Sequence, residues 1–409
     1  MQLNNSHLSY CTNIHPGEHW LEHFSALRQH FPSIKKEVSP EQPMGIGLRL
    51  SNAASLELSE ENNLASFQEW MRTEDAYVFT MNGFPYGNFH HTRVKENVHQ
   101  PDWTTAERVA YTLRLFRLLE KLAPEGMDGG VSTSPLGYRR SYKNPDESGQ
   151  AISKATRNIL SVTEQLVRIK KETGKLLHLD IEPEPDGLLE SGEEFIAWYE
   201  SCLVPLGIQV LKERFNVKEG EAENMLKEHV RLCYDICHFS IGYENHGEVI
   251  RKLNERGIKI GKIQVSAALK AEMPVFTWER KNICRAFSIL NESTYLHQVV
   301  ARKSDNSLIR YRDLPDALAD SGHPEVREWR SHFHVPVFLQ SFSCLQSTQS
   351  EIIELIEMHN SAPLTAHFEV ETYTWEVLPE SLRSPMTESI VRELQWVKGR
   401  FNQFQQRAM

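Results

Sequence analysis

The stretch RLCYDICHFSIGYE, residues 231–244, is where an apolar run gives way to a polar turn. The run ends at Asp235, and His238 follows three residues later, just before Ser240 and Gly242. We interpret the run as a buried strand and the two polar residues as its carboxyl end. Both side chains are able to ligate a metal ion, although a D-x-x-H pair is equally typical of a buried hydrogen-bonded pair.

Short β-rich runs of this kind recur along the chain and alternate with longer amphipathic stretches. Eight strands are predicted, at 8–14, 45–51, 76–82, 129–134, 176–182, 230–236, 258–265 and 366–372. Helices are predicted at 18–30, 61–73, 104–122, 150–173, 192–214, 244–256, 347–359 and 386–406. Such alternation is typical of a parallel sheet with crossover helices, and eight strands predict a closed barrel.

The predicted fold class is therefore α/β, a (β/α)8 TIM barrel with loop insertions after strands three and seven. We expect a single barrel domain over residues 1–409. The first insertion is the aromatic, His-rich stretch 82–103, and the second is 268–345, with a predicted β-hairpin and a loop of candidate metal ligands. Both follow the carboxyl ends of strands, where barrel active sites are built.

Composition and charge argue against several classes of protein. With 40% hydrophobic and 24% charged residues, the chain has the composition of an ordinary globular protein. Its apolar runs fall short of the roughly 18 residues that a membrane span needs. The net charge of −10 disfavours a nucleic-acid partner, which requires a basic surface. Because six scattered cysteines do not make a disulfide framework and no secretory signal is visible, we expect a cytoplasmic location.

Polar residues line one face of the fifth predicted strand. In LHLDIEPEPDG, residues 177–187, His178, Asp180 and Glu182 point the same way because side chains alternate along a strand. Glu184 continues the series into the loop. Burying carboxylates is costly unless ions or hydrogen bonds compensate them. The cluster therefore favours a functional site, with a helix-capping loop as the alternative.

The last two predicted strands carry polar residues of the same kind. Lys262 and Gln264 share one face of the seventh strand. In AHFEVETYTW, which contains the eighth strand, His367, Glu369 and Glu371 point inward. Inward positions of such barrels are usually filled by branched apolar residues, so this pattern favours function over packing.

An H-x-H pair lies in the second predicted insertion. In RSHFHVPVF, His332 and His334 are spaced so that one extended segment can offer two imidazoles to metal ions. A solvent-exposed pair of histidines is the alternative.

These candidates follow strands five to eight and are predicted to meet at one mouth of the barrel. Oxygen and nitrogen donors without cysteine suit Zn, Mn, Mg or Fe, so we predict a divalent metal as cofactor. The predicted metal ligands are Glu182, Asp235, His238, Gln264, His332, His334 and Glu371. The predicted catalytic pair is Glu182 and Glu371. The predicted substrate-binding residues are His15, Asn82, His90, His91, Lys95, Trp103, Glu184, Lys262 and Glu369.

At these positions the chain resembles the xylose-isomerase-like TIM barrels, a superfamily of sugar isomerases, ketose epimerases and endonuclease IV repair enzymes. The residues that match the metal ligands of that superfamily are Glu182, Asp235, His238 and Glu371. His332 and His334 look like the further ligand pair of endonuclease-IV-type members. Gln264, in QVSA, departs from the pattern, because the superfamily usually has His on strand seven.

A narrower resemblance extends over nearly the whole chain. The segments SYCTNIHPGE, NGFPYGNFH, VKENVHQPDW, LDIEPEPDGLLE and FEVETYTWEVLP look like the EboE family of bacterial metabolite-traffic proteins. The resemblance implies a role beside small-metabolite export genes, with a small-molecule metabolite as ligand and the products of neighbouring genes as candidate partners. It names no reaction.

Three functions follow as hypotheses. The first is a metal-dependent isomerase or epimerase-like enzyme for a hydroxylated small molecule, with Glu182 and Glu371 as base and acid. The second is a multi-metal phosphoesterase for a small phosphate ester, which His332 and His334 favour. The third is a binding protein that hands on a metabolite without converting it, with Gln264 marking a weakened metal site.

Overall fold

A nearly closed barrel forms the centre of the protein, in a computed structural model that describes residues 1–3, 5–87, 89, 94–375, 378 and 384–408. In chain order, the strands are β1 (Gln2–Leu3), β2 (Ser6–Tyr10), β3 (Met44–Arg49), β4 (Ala76–Asn82), β5 (Gly129–Thr133), β6 (Leu177–Ile181), β7 (Val230–Asp235), β8 (Ile260–Val265), β9 (Leu269–Glu272), β10 (Val299–Lys303), β11 (Leu308–Tyr311), β12 (Val326–Ser331), β13 (Ser341–Phe342), β14 (Leu345–Ser347) and β15 (His367–Val370).

Helices connect the strands and cover the barrel. They are α1 (Trp20–Val38), α2 (Asn52–Leu58), α3 (Glu61–Thr73), α4 (Ala106–Leu122), α5 (Pro145–Thr173), α6 (Gly192–Trp198), α7 (Val204–Phe215), α8 (Glu219–His229), α9 (Ile236–Ile241), α10 (His246–Glu255), α11 (Lys281–Ile289), α12 (Leu314–Ala319), α13 (Gln349–Ser361) and α14 (Met386–Ala408).

The strand order confirms the predicted (β/α)8 barrel. The nine-stranded sheet runs β1-β2-β15-β8-β7-β6-β5-β4-β3. All of its strand pairs are parallel except β1 with β2. An isolated parallel bridge between Cys11 and Gly47 joins the β2 and β3 ends of the sheet. The carboxyl ends of eight parallel strands therefore meet at one mouth.

Three helix predictions need correction. Helix α1 runs to Val38, eight residues past the predicted end at 30. Helix α5 begins five residues before the predicted start at 150, because the Asn144 side chain accepts a hydrogen bond from the Glu147 backbone N–H and Pro145 fits the first turn. The predicted helix 192–214 is two α-helices, α6 and α7, joined by one turn of π-helix over Tyr199–Leu203. None of these differences moves a barrel strand.

The strand register places buried polar side chains at matching heights inside the barrel. Gln264 on β8 is paired with Asp235 on β7 and with Glu369 on β15. All three side chains are buried. On β3, a Cβ atom at Gly47 would lie 1.7 Å from Glu369 Oε2, so glycine is needed to leave room for this carboxylate.

Residues 268–345 form most of a second, antiparallel sheet beside the mouth. Its order is β11-β10-β12-β9-β14-β13, and β10 pairs with β11 at the predicted hairpin. Strand β12 ends at Ser331, directly before the H-x-H pair. That this segment is an insertion into a single domain stays a prediction. Within the described part of the chain, none of the helices has the length and apolar character needed to cross a membrane.

Candidate metal centre

The mouth of the barrel contains a cavity of about 620 Å³, counted with the space open to solvent. Carboxylates, imidazoles and aromatic rings share its wall. The lining residues are Asn13, Asn82, Phe84, Pro85, Phe89, Val94, Lys95, Val98, His99, Glu182, Glu184, His238, Tyr295, Leu296, Gln298, His332, His334, Glu371 and Tyr373. Concave sites with a few convergent polar groups among apolar ones are typical of small-molecule sites.

Three carboxylates converge at this mouth. Glu182, Asp235 and Glu371 each offer an oxygen, and these oxygens lie within 4.8 Å of one another. Glu182 and Glu371 directly follow β6 and β15, while Asp235 is the last residue of β7. Carboxylate oxygens this close are costly to keep ionised together, so the site favours a bound proton or a cation.

The Asp235 carboxylate is held by the start of helix α9. Its Oδ1 accepts hydrogen bonds from the His238 backbone N–H at 3.1 Å and from the Ser266 hydroxyl at 2.7 Å. Its Oδ2 is buried and has no N–H or hydroxyl donor among the described residues, although a protonated Glu371 can hydrogen-bond to the Asp235 carboxylate. Asp235 therefore caps the helix with one oxygen and has the other available for a ligand.

Glu371 is oriented by two amides. Its Oε1 accepts hydrogen bonds from Asn13 Nδ2 at 2.8 Å and from Asn82 Nδ2 at 2.9 Å. On the facing strand, Glu182 Oε2 is buried and makes no hydrogen bond to any described residue. Both carboxyl groups line the cavity, and Glu371 is held there by its two amide donors.

Burial and mutual repulsion give the three carboxyl groups different pKa values. Burial raises the pKa of Glu182 well above its usual range, and the charges of Glu371 and Asp235 raise it further. The pKa of Glu371 is likewise raised by burial and by Asp235. The pKa of Asp235 is lowered, because His238, His334 and its hydrogen bonds outweigh the opposing effect of burial. The raised pKa values favour a proton on Glu182 or Glu371, and the lowered pKa of Asp235 favours its ionised form.

Three histidines at the mouth each use Nδ1 to contact an oxygen atom of the protein. Nδ1 of His238 lies 3.0 Å from the Pro183 carbonyl oxygen, and Nδ1 of His334 lies 3.0 Å from the Glu371 carbonyl oxygen. Nδ1 of His332 lies 2.9 Å from Gln298 Oε1. Because each of these oxygens only accepts, each Nδ1 carries the hydrogen, and whenever the ring is neutral Nε2 has a lone pair. This is the arrangement typical of metal-bound histidine.

The ring nitrogens of two of these histidines face each other. His238 Nε2 and His332 Nε2 are 3.2 Å apart. Burial lowers the pKa of His332 well below its usual range, so that ring is neutral. Two facing lone pairs repel unless a proton or a cation lies against them. Donor atoms of Asp235, His238 and His334 also lie within 4.8 Å of one another, so these residues fit a divalent ion.

The side-chain oxygen of Gln264 is already engaged in a hydrogen bond. Its Oε1 accepts a hydrogen bond from the Cys233 thiol at 3.2 Å. Its Nε2 is buried and has no acceptor within the described ranges. As placed, the residue presents N–H to its surroundings, and its predicted role as a metal ligand stays a prediction.

The predicted substrate-binding residues divide into two groups. Asn82, Lys95 and Glu184 line the cavity, where Lys95 is paired with Asp313 at 2.6 Å and Glu184 with His99 at 2.9 Å. The residues that lie outside the lining are His15, Trp103, Lys262 and Glu369. His90 and His91 fall outside the described residues.

Contacts of the second group explain its placement. Lys262 Nζ lies 2.7 Å from Glu369 Oε1 and 2.9 Å from the Ser132 hydroxyl, deeper inside the barrel. The Trp103 indole donates to the Thr133 hydroxyl at 3.0 Å. His15 Nε2 lies 3.1 Å from the Tyr10 hydroxyl.

Several wall residues are absent from the sequence-based set. Asn13 orients Glu371, Gln298 orients His332, and Tyr295 and Tyr373 form an aromatic wall with ring centroids 5.0 Å apart. Asn13 and Tyr373 lie within the segments CTNIHPGE and ETYTW, so their position after barrel strands was a usable signal. Gln298 lies in the predicted hairpin and is brought to the mouth by tertiary packing alone.

No protein-family model and no curated protein sequence matches this chain. Solved structures do. A xylose isomerase-like TIM barrel protein from Mycobacterium smegmatis, in complex with magnesium, covers 98% of this chain and 97% of its own at 9% identity, with a TM-score of 0.50.

Two further solved structures are similar at lower TM-scores. A D-tagatose 3-epimerase-like protein covers 98% of this chain and 100% of its own at 11% identity, with a TM-score of 0.47. The IOLI protein with a bound zinc atom covers 97% and 99% at 13% identity, with a TM-score of 0.43. At these identities the likeness concerns the fold alone, a TIM barrel that this chain shares with the xylose isomerase-like protein.

Proposed function

We propose that the protein is a divalent-metal-dependent enzyme of isomerase or epimerase type that acts on a hydroxylated small molecule. The observation that carries the proposal is the convergence of Glu182, Asp235 and Glu371 at one mouth. Two of these carboxyl groups have a raised pKa, and the third is held ionised. Moving a proton to and from carbon requires one ionised and one protonated carboxyl group, and the repulsion between Glu182 and Glu371 favours a pair in which only one of the two holds a proton.

The ion would be held by Asp235, His238 and His334, with Glu182 and Glu371 beside them. Within the described residues, support comes from two features. Asp235 Oδ2 is buried without an N–H or hydroxyl donor, and the neutral rings of His238 and His334 have a lone pair on Nε2. Such donors suit Zn, Mn, Mg or Fe. The chemistry supplied by a bound divalent ion is polarisation of a carbonyl oxygen, which acidifies the neighbouring C–H.

The protein's own carboxyl groups would move the proton. The ionised member of the pair Glu182 and Glu371 removes a proton from the carbon beside the carbonyl. The protonated member returns a proton to carbon from its own side, and the two groups exchange their protonation states. Asn13 and Asn82 keep Glu371 aimed at the reacting carbon through their hydrogen bonds to Oε1.

A second candidate function is a multi-metal phosphoesterase for a small phosphate ester. The observation that favours it is the pair of Nε2 atoms of His238 and His332, 3.2 Å apart beside His334. These rings offer donors for more than one ion, and paired metal ions clamp phosphate oxygens.

The EboE resemblance supports a third candidate, a cytoplasmic protein of metabolite traffic that binds an intermediate without converting it. Its small-molecule ligand would occupy the same cavity, and its protein partners would come from neighbouring genes. The support is the resemblance itself, together with the hydrogen bond that engages Gln264 Oε1.

The first candidate predicts hydrogen exchange at carbon. The full chain, loaded with Mn²⁺ or Zn²⁺, is incubated in D2O with a panel of ketoses, ketose phosphates and hydroxylated ketones, and deuterium beside the carbonyl is followed by NMR. Glu182→Gln and Glu371→Gln should each lower exchange by about 100-fold or more, as expected for loss of a general acid or base. Glu244→Gln is the matched control, because that carboxyl accepts a hydrogen bond from the Gly192 backbone away from the cavity.

The other outcomes separate the candidates. Release of inorganic phosphate from phosphate esters, without deuterium exchange, would favour the phosphoesterase. Saturable binding of a panel member, detected by calorimetry with neither reaction, would favour the binding protein. Full exchange activity in both Glu variants would contradict the proposed acid–base pair.

A further inference from the structure

A second cluster of metal-ligating side chains lies at the opposite end of the barrel. Asp128 directly precedes β5, His178 is the second residue of β6, and His367 is the first residue of β15. Because these are the amino ends of parallel strands, the cluster forms the floor of the barrel. One donor atom from each residue lies within 4.8 Å of the others. We call these three residues the floor cluster.

His178 is oriented as a metal ligand. Its Nδ1 lies 2.6 Å from Asp180 Oδ1, and because the carboxylate accepts, Nδ1 carries the hydrogen. Nε2 is buried, makes no hydrogen bond to any residue in the described part of the chain, and lies 3.6 Å from Asp128 Oδ2. A carboxylate behind a histidine is the usual support of a zinc-bound imidazole.

Asp128 connects the cluster to solvent and to a fixed cation. Its Oδ2 accepts from Arg231 Nη1 at 2.9 Å, and its Oδ1 lies 3.1 Å from His367 Nε2. The Asp128 side chain is 26% exposed, while those of His178 and His367 are almost completely buried. An ion could therefore enter past Asp128 and reach both rings.

The charges at the floor are not balanced by the arginine alone. Arg231 contacts Asp128, but Asp180 is fully buried and has only the His178 ring as a hydrogen-bond partner among the described residues. Burying an ionised carboxylate with so little compensation is costly. Space is made for it by glycine, since a Cβ at Gly261 would lie 1.8 Å from Asp180 Oδ1.

We propose that the floor cluster is a second divalent-metal site, suited to Zn²⁺ and bound by Asp128, His178 and His367. Its donors are one carboxylate oxygen and two imidazole nitrogens, a set that zinc accepts with water as the further ligand. For the ion to bind, the hydrogen that His367 Nε2 shares with Asp128 moves to His367 Nδ1, which has no hydrogen-bond partner among the described residues, so that Nε2 of the neutral ring has a lone pair for the metal. Three strands separate β5 from β15 in the sheet, so the ion ties together distant strands and stabilises the barrel.

The test counts ions in a protein whose mouth is disabled. Asp235→Asn with His334→Gln removes donors at the mouth and leaves the floor cluster intact. After dialysis against excess Zn²⁺ and then against metal-free buffer, elemental analysis should find one ion per chain in this variant. Adding His178→Gln should remove it, whereas adding His359→Gln should not. His359 is a buried histidine that contacts Ser6 and lies outside the floor cluster.

A second measurement keeps the proposal testable if His178→Gln does not fold. Zinc should raise the melting temperature of the mouth-disabled chain by several degrees, as expected for a ligand that binds only the folded state. Crystals of that chain should show an anomalous peak at the zinc edge within bonding distance of His178 Nε2. No ion retained in the mouth-disabled chain, or an anomalous map without a peak at the floor, overturns the proposal.

Discussion

The buried ion pair between Lys262 and Glu369 provides the sharpest test of the barrel interior. Both side chains are fully buried, and Lys262 Nζ lies 2.7 Å from Glu369 Oε1. Lys262→Met leaves the Glu369 carboxylate in the same place without its ammonium partner. Removing one member of a buried ion pair costs about 3–5 kcal/mol, because the remaining charge stays desolvated. We therefore expect Lys262→Met, and separately Glu369→Met, to lower the free energy of unfolding by that amount.

The double variant distinguishes this cause from simple loss of packing. Replacing both members of a buried ion pair by apolar residues is often close to neutral, so Lys262→Met/Glu369→Met should lose less than about 2 kcal/mol. The assay is guanidinium unfolding followed by circular dichroism and by tryptophan fluorescence, with coincident transitions. Arg72→Met is the control, since the pair of Arg72 with Glu69 is exposed and its loss should not be measurable.

Two results would refute the reasoning about Lys262. One is a loss below about 1 kcal/mol in the Lys262→Met variant, which would mean that the charge of Glu369 is solvated or protonated. The other is a loss in the double variant equal to the sum of the two single losses. The outcome bears on chemistry as well, because the Lys262 charge opposes the rise in pKa that burial imposes on Glu182 and Glu371.

Three further predictions concern other buried groups. Burial raises the pKa of Glu393 from 4.5 to about 7. Between these two pH values the folded chain holds a proton that the unfolded chain releases, so the free energy of unfolding falls by about 3 kcal/mol as pH rises from below 4.5 to above 7. Glu393→Gln should therefore match the parent at pH 4 and be more stable at pH 8 in urea unfolding; equal stability at both pH values would contradict this. Gly261→Ala should lose about 1–3 kcal/mol because its Cβ would lie 1.8 Å from Asp180 Oδ1, whereas Gly220→Ala, with open space around it, should lose none. In a chain that also carries His178→Gln, which disables the floor cluster, Asp235→Asn should keep the melting temperature of the metal-free protein but lower metal affinity in a chelator competition by more than about 10-fold, and unchanged affinity there would remove Asp235 from the ligand set.

The strands and the mouth could be predicted because they depend on local patterns. Glu182, Asp235 and Glu371 each end a β-rich run, and alternation together with barrel closure is enough to bring strand ends to one mouth. The Asp235 to His238 pair could be recognised from spacing, although the short helix that Asp235 caps was not predicted. These inferences needed only the alternation of side chains along each strand and the closure of the barrel.

Other features depend on contacts between residues distant in the sequence. Whether Gln264 offers oxygen or N–H is set by the Cys233 thiol on the neighbouring strand. The placement of Trp103 is set by its hydrogen bond to Thr133, and that of Gln298 by the packing of a second sheet against the mouth. No local periodicity encodes such contacts, so the wall of the cavity was predicted incompletely.

Residues that point inward from the same strand have different roles, depending on their height along the strand. On β15 and the residue after it, His367, Glu369 and Glu371 all point inward, yet they meet three different environments. Glu371 reaches the cavity. Glu369, two residues earlier in the chain, is paired with Lys262, and His367 lies at the floor beside Asp128. An inward polar residue in such a barrel is therefore evidence for a buried polar partner or ion at its own height. It is evidence for a role at the mouth only where the strand ends.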